Sequence, residues 1–250
     1  MSETLSPSTP ITPWWRRPFV VSVLVVLLVV AGTIGWSMYA GLKDEARRGL
    51  EHGLPWQVET LADGGSRVFG LQPGVDTLDS VQSRLGEDMN VGLIVAGDAP
   101  PALEGFVESL RAGFVTGRLV AAFEADDGWL QRARERAVSS DYGEGGRSRR
   151  YTLAADDRRQ AGASRLLALA YLPAVKLDAE TVRQRFGEPA ERITGPQGES
   201  QWLYPDRGIA VVLPPEQGEA AKARAVIQYV APRDFEARLR APLQAASAAR

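Results

Sequence analysis

Residues 18–40 read PFVVSVLVVLLVVAGTIGWSMYA, 23 consecutive positions without a charge. As a helix such a run spans about 34 Å, against about 30 Å for the hydrocarbon core of a bilayer. Core helices rarely run this far uncharged, and the apolar region of a signal peptide has only about 7–15 residues. The run therefore predicts a transmembrane helix. Trp14 and Trp15 precede it, and Trp36 and Tyr39 lie near its end. Amphipathic rings at both ends match the two headgroup layers. Arg16 and Arg17 abut the N-terminal boundary, while Lys43, Arg47 and Arg48 follow the run. A long C-terminal domain crosses largely regardless of its flanking charges. The expectation is a single-pass protein of a bacterial inner membrane, with a cytoplasmic tail at 1–17 and a periplasmic C-terminal domain. Its first partner is the lipid bilayer, through residues 18–40. Ala31 with Gly35 and Ser37 with Gly41 form small-xxx-small pairs that would let two such helices associate as a homodimer.

The bacterial assignment is compositional. Only Lys43, Lys176 and Lys222 are lysines, and all other basic positions are arginine, as in GC-rich codon usage. Cysteine is absent, which excludes disulfides, thiolate catalysis, zinc–thiolate sites and a lipidated N-terminal cysteine. A net charge of −2 disfavours nucleic acid as a partner, because phosphate binding runs on clustered positive charge.

The rest of the chain divides by turn residues and periodicity. Residues 41–73 form a stalk and linker, 74–125 a first module, 126–173 connecting helices and a loop, 174–232 a second module, and 233–250 a C-terminal helix and tail. The division rests on a repeat. Residues 80–87 read SVQSRLGE and 181–188 read TVRQRFGE, sharing Val81/Val182, Arg84/Arg185, Gly86/Gly187 and Glu87/Glu188. Each window reads as the end of a short amphipathic helix. Leu78, Val81 and Leu85 share a face in the first, and Val182 and Phe186 in the second. Asp178 is the expected N-cap, with Leu177 packed on Val182. Gly86 and Gly187 suit the left-handed position that ends a helix. Any helix ending in glycine shares some of this pattern.

After each window come short β-prone runs. They are 91–96, 103–108 and 112–123 in the first case, the last with a hairpin at Thr116-Gly117, and 201–204, 208–213 and 224–230 in the second. Residues 126–139 read as a helix with Trp129, Leu130 and Ala133 inward. Residues 140–150 read as a flexible basic loop, and 156–172 as a helix stopped by Pro173. The fold class expected is α+β: a transmembrane helix, then two tandem modules, each a helix followed by an antiparallel meander.

The R-F-G-E-P turn at 185–189, followed by Trp202-x-Tyr204 and an apolar strand, resembles the SmpA/OmlA outer-membrane-assembly lipoprotein family. The β-lactamase inhibitor proteins carry the same fold as a tandem repeat. The likeness is strongest over 176–231; the first window matches only at Val81 to Glu87. It implies a small binding or scaffold domain without a catalytic centre. The chain departs from that family in having an uncharged run where its members have a lipidated cysteine.

Little in the sequence points to chemistry. His52 is the only histidine, and with no cysteine a transition-metal site would rest on carboxylates alone. The adjacent pairs Asp126-Asp127, Asp156-Asp157 and Glu87-Asp88 do not face each other on a helix and suit capping or solvation better than acid–base catalysis. No catalytic residue, cofactor or metal is expected. Arg147, Arg149 and Arg150 form the sharpest charge cluster, a surface for anionic lipid or an acidic envelope protein unless it is simply a solvated loop. Trp202 and Tyr204 are either a second part of that partner surface or core. The leading expectation is thus a non-catalytic, membrane-anchored envelope protein that binds a protein or a lipid. The rivals are a carboxylate-dependent enzyme acting on envelope glycans or lipids, and a single-pass signalling transducer.

Overall fold

The computed structural model describes residues 53–97, 99–143 and 148–248. Residues 18–40 and their flanking Trp14, Trp15, Arg16, Arg17, Trp36 and Tyr39 lie outside the described residues, as do His52 and Arg147. Among the described residues no helix is long and apolar enough to cross a membrane. That finding stands against the transmembrane, single-pass and inner-membrane expectations. The bilayer contact through residues 18–40 and the homodimer through the same helix fall on residues outside those described.

Two short strands, β1 (Glu59–Thr60) and β2 (Ser66–Arg67), form a small hairpin. Helix α1 (Leu78–Leu85) follows, then β3 (Asn90–Ala96), β4 (Ala102–Ala112) and β5 (Val115–Phe123). Helix α2 (Asp127–Glu135), strands β6 (Ser139–Tyr142) and β7 (Ser148–Thr152), and helix α3 (Ala155–Ala161) lead to β8 (Leu166–Pro173). Helix α4 (Ala179–Phe186) precedes β9 (Glu191–Thr194), β10 (Ser200–Tyr204), β11 (Ile209–Leu213) and β12 (Val226–Val230). A π-turn at Glu236–Arg240 runs into the last helix, α5 (Ala241–Ala248).

Strands β3 to β12 make one antiparallel sheet in the order β6-β7-β3-β4-β5-β8-β12-β11-β10-β9. The expectation of two separate helix-plus-meander modules is corrected by this sheet. β8 pairs with β5 on one side and β12 on the other, so strands following both windows share hydrogen bonds and a core. The order is palindromic about the β8–β12 contact: β8, β5, β4, β3 on one side mirror β12, β11, β10, β9 on the other. Strands β6 and β7 extend the first flank beyond β3.

Three local readings are also corrected. The β4–β5 turn falls at Gly113-Phe114, and Thr116-Gly117 lies within β5. Residues 140–150 contain the facing strands β6 and β7. Of the expected 156–172 helix only residues 156–161 are helical, within α3, and the stretch from Leu166 onward becomes the central strand β8. The LLALAYLP run fits a helix or a buried strand equally, and slots on both flanks decide for the strand.

The main core lies on the helix side of the sheet. It joins Leu78 and Val81 of α1, Trp129, Leu130 and Ala133 of α2, and Val182 and Phe186 of α4 to Leu93, Leu103, Leu119, Leu169, Tyr171, Ile227 and Tyr229. The residues between these along the strands face the other side. There Leu203, Ala210 and Val230 pack with Phe235 and Leu239 of the C-terminal segment in a second, smaller cluster. The C-terminal helix thus covers one end of the second face only.

Candidate binding surface on the open sheet face

Strand pairing fixes which residues share the second face. One cross-strand row runs Val230, Ala168, Ala122, Glu104, Gly92 through β12, β8, β5, β4 and β3. The next runs Ala210, Gln228, Ala170, Val120, Phe106, Asn90. Val230 and Ala210 belong to the cluster under the C-terminal segment. Beyond it Ala168, Ala170, Val120, Ala122, Phe106 and Ile94 remain half-exposed. Small side chains on the middle strands leave a shallow apolar floor. Gln228 stands in it with its Oε1 atom buried and without a hydrogen-bond partner.

The floor ends in a groove of about 380 Å³ formed by β3, β4, β5 and the β6–β7 hairpin. Glu104, Phe106, Arg118, Asp141, Tyr142 and Arg150 line it. Glu104 sits between Gly92 on one neighbouring strand and Ala122 on the other, both small. Burial raises its carboxyl above the ordinary glutamate value, and the charge of Arg150 opposes that rise. A Cβ on Gly92 would stand 3.3 Å from Arg150 Cγ and 2.8 Å from the Tyr151 carbonyl oxygen. The bare glycine lets Arg150 lie across β3, with its guanidinium carbon 5.5 Å from the centre of the Phe106 ring. Arg150 makes no ion pair with a described carboxylate, and Glu104 makes none with a described cation. Arg118, by contrast, holds Glu108 at 2.7 Å.

The arginine cluster is divided by the strand. Arg149 and Arg150 are neighbours in β7 and point to opposite faces. Arg149 stands over the rings of Tyr142 and Tyr151, and its Nε donates to Ser140 Oγ at 3.1 Å. Trp202 and Tyr204 are buried in the helix-side core. Arg192 stacks 4.4 Å from the Trp202 ring, and Trp202 Nε1 donates to Ser200 Oγ at 2.9 Å. The Tyr204 hydroxyl donates to the Gly187 carbonyl at 3.0 Å, and burial pushes its pKa up to about 12. These two rings therefore pack the interior and do not join the Arg149–Arg150 surface.

The repeat residues sit at matching places. Val81 and Val182 are buried, while Arg84, Glu87, Arg185 and Glu188 are exposed. Arg185 lies over the Trp56 ring at 5.0 Å, and Glu188 pairs with Arg183 and Arg192, each at 2.8 Å. The Asp178 carboxylate accepts from the Thr181 amide at 2.8 Å, which holds its pKa down. The Asp126 carboxylate accepts from the Trp129 amide at 2.8 Å. Asp157 is buried and receives two hydrogen bonds from Arg136, at 2.6 and 3.1 Å. Among the described residues no group of three or more His, Cys, Asp or Glu is placed to hold a metal ion.

The sequence reading passed over Glu104 and Phe106, although alternation carried the signal. In LEGFVE, Leu103, Gly105 and Val107 take one face, which sends Glu104, Phe106 and Glu108 to the other. The chain matches no protein-family model, no curated protein and no solved structure.

Proposed function

We propose that this chain is a non-catalytic binding protein whose open sheet face docks a protein partner. The supporting observation is the half-exposed floor of Val120, Ala122, Ala168 and Ala170, which runs from the C-terminal segment to the Glu104–Arg150 groove. A smooth apolar centre with charges at its margin is the usual anatomy of a protein interface. It accepts a flat or convex partner without rearrangement of backbone. The buried Gln228 oxygen offers a single acceptor within this floor, where one partner N–H would find specific reward. The resemblance of residues 176–231 to small binding domains supports the same kind of role.

Val120→Arg and Ala170→Arg test the reading, because each places a long charged side chain on the floor without touching the core. Proteins crosslinked to the wild-type chain in cells should be lost from both variants, with melting temperatures close to wild type. An unchanged crosslinking pattern in two folded variants would rule out this face as the docking site.

A further inference from the structure

We propose that the groove between β4 and the β6–β7 hairpin binds a zwitterionic α-amino acid, with the ligand's ammonium on Glu104 and its carboxylate on Arg150. The site does not depend on the protein-docking reading.

Two opposite charges line one groove and neither is paired with a described residue. They sense each other electrostatically yet do not close into an ion pair. A ligand carrying both charges satisfies each of them at once. A lone ammonium would meet Glu104 but add positive charge beside Arg150. A lone carboxylate or inorganic phosphate would meet Arg150 but be repelled by Glu104 and Asp141, the charge of Glu108 being offset by Arg118. Charge complementarity therefore selects a zwitterion.

Shape selects a small one. A groove of about 380 Å³ is at the small end of ligand sites. It accommodates a free amino acid, with Phe106 and Ile94 available to an apolar side chain. Arg150 is also held ready. Its stem rests on Gly92 and its guanidinium on Phe106, so little conformational freedom remains to be lost on binding. Its planar fork is suited to a carboxylate in a way that a lysine is not. Burial of Glu104 adds a signature: an arriving ammonium favours the ionised form, so binding at mildly acidic pH should release a proton.

The test is isothermal titration of the full-length chain with glycine, L-leucine and L-phenylalanine. The comparison ligands are the C-terminal amides, which keep only the ammonium, and the N-acetyl derivatives, which keep only the carboxylate. At least one free amino acid should bind saturably, with its amide and N-acetyl derivative about tenfold weaker or worse. Titration in two buffers of different ionisation enthalpy should reveal the released proton. Glu104→Gln and Arg150→Gln should each weaken binding about tenfold or more, with a single cooperative unfolding transition in each confirming the fold. Arg150→Lys should fall between Gln and wild type. No saturable binding by any of the three, equal binding of the one-charge derivatives, or unchanged affinity in the folded variants would overturn the proposal.

Discussion

Gly86 and Gly187, 101 positions apart, hold the same backbone conformation, with φ/ψ of 86°/−173° and 82°/−172°. Both follow eight-residue helices, and both donate their amide to the carbonyl four residues back, in Gln82 and Arg183. Positive φ was legible from the sequence, but ψ near 180° was not. The pair lies in an extended region essentially closed to residues with a Cβ, rather than in the left-handed region that Asn tolerates. No neighbouring atom lies within 4 Å of a Cβ built at either site, so the cost of substitution is purely one of backbone.

Gly86→Ala and Gly187→Ala should each cost about 1–3 kcal/mol, measured by denaturant unfolding. The corresponding Asn variants should cost as much as the Ala variants. Rescue by Asn would show that the backbone relaxes into the left-handed region.

Tyr204→Phe should cost about 0.5–1.5 kcal/mol, because the Gly187 carbonyl loses its donor while the ring stays packed on Phe186. The same substitution at Tyr142, which is largely exposed, should leave the unfolding midpoint in place. Equal effects at the two sites would deny Tyr204 its link to the helix end.

Asp157 provides the acid limb of stability. Its hydrogen bonds from Arg136 hold its pKa below the usual aspartate value. Its contribution is therefore complete above the unfolded-state pKa and lost as pH falls through the lower, folded value. Asp157→Asn should be destabilised by about 1–3 kcal/mol at neutral pH, and the gap should narrow below about pH 4. A gap independent of pH would show that ionisation of Asp157 plays no part.

Glu104 has the opposite sign. Its pKa is raised by burial, so its stabilising protonated form prevails at low pH and is lost as pH rises through the raised value. Glu104→Gln preserves the neutral shape and should melt higher than wild type at neutral pH, with the two curves converging in acid. A charge kept in place at a cost in stability is what a binding site requires. A less stable Glu104→Gln at neutral pH would mean that the carboxylate serves the fold.

Gly92→Ala should be destabilising by about 1–3 kcal/mol through crowding against the fixed Tyr151 carbonyl. It should also displace Arg150 from Phe106, which aromatic proton shifts of Phe106 would report. Unaltered Phe106 resonances would leave the glycine without a role in placing the arginine.

Residues near in sequence settled what they could settle alone. The helix at Leu78–Leu85 and its counterpart at Ala179–Phe186 were readable because caps and spacing act within about two turns. Asp178 closing onto Thr181, and Gly187 ending the helix, involve no distant partner. Trp129, Leu130 and Ala133 fall inward for the same reason, set by helical periodicity.

The identity of β8, the union of both windows in one sheet and the groove itself depend on residues far apart. Leu166–Pro173 is a strand because β5 and β12 offer hydrogen bonds on both sides, and those partners lie tens of residues away in either direction. Arg149 and Arg150 read as one patch in a loop, but pairing with β3 and β6 turned them to opposite faces. Glu104 and Arg150 are 46 positions apart and meet only because β3 lies between their strands with a glycine at the crossing. Periodicity tells a side chain which of two faces it takes; only the order and register of the strands decide what else stands on that face.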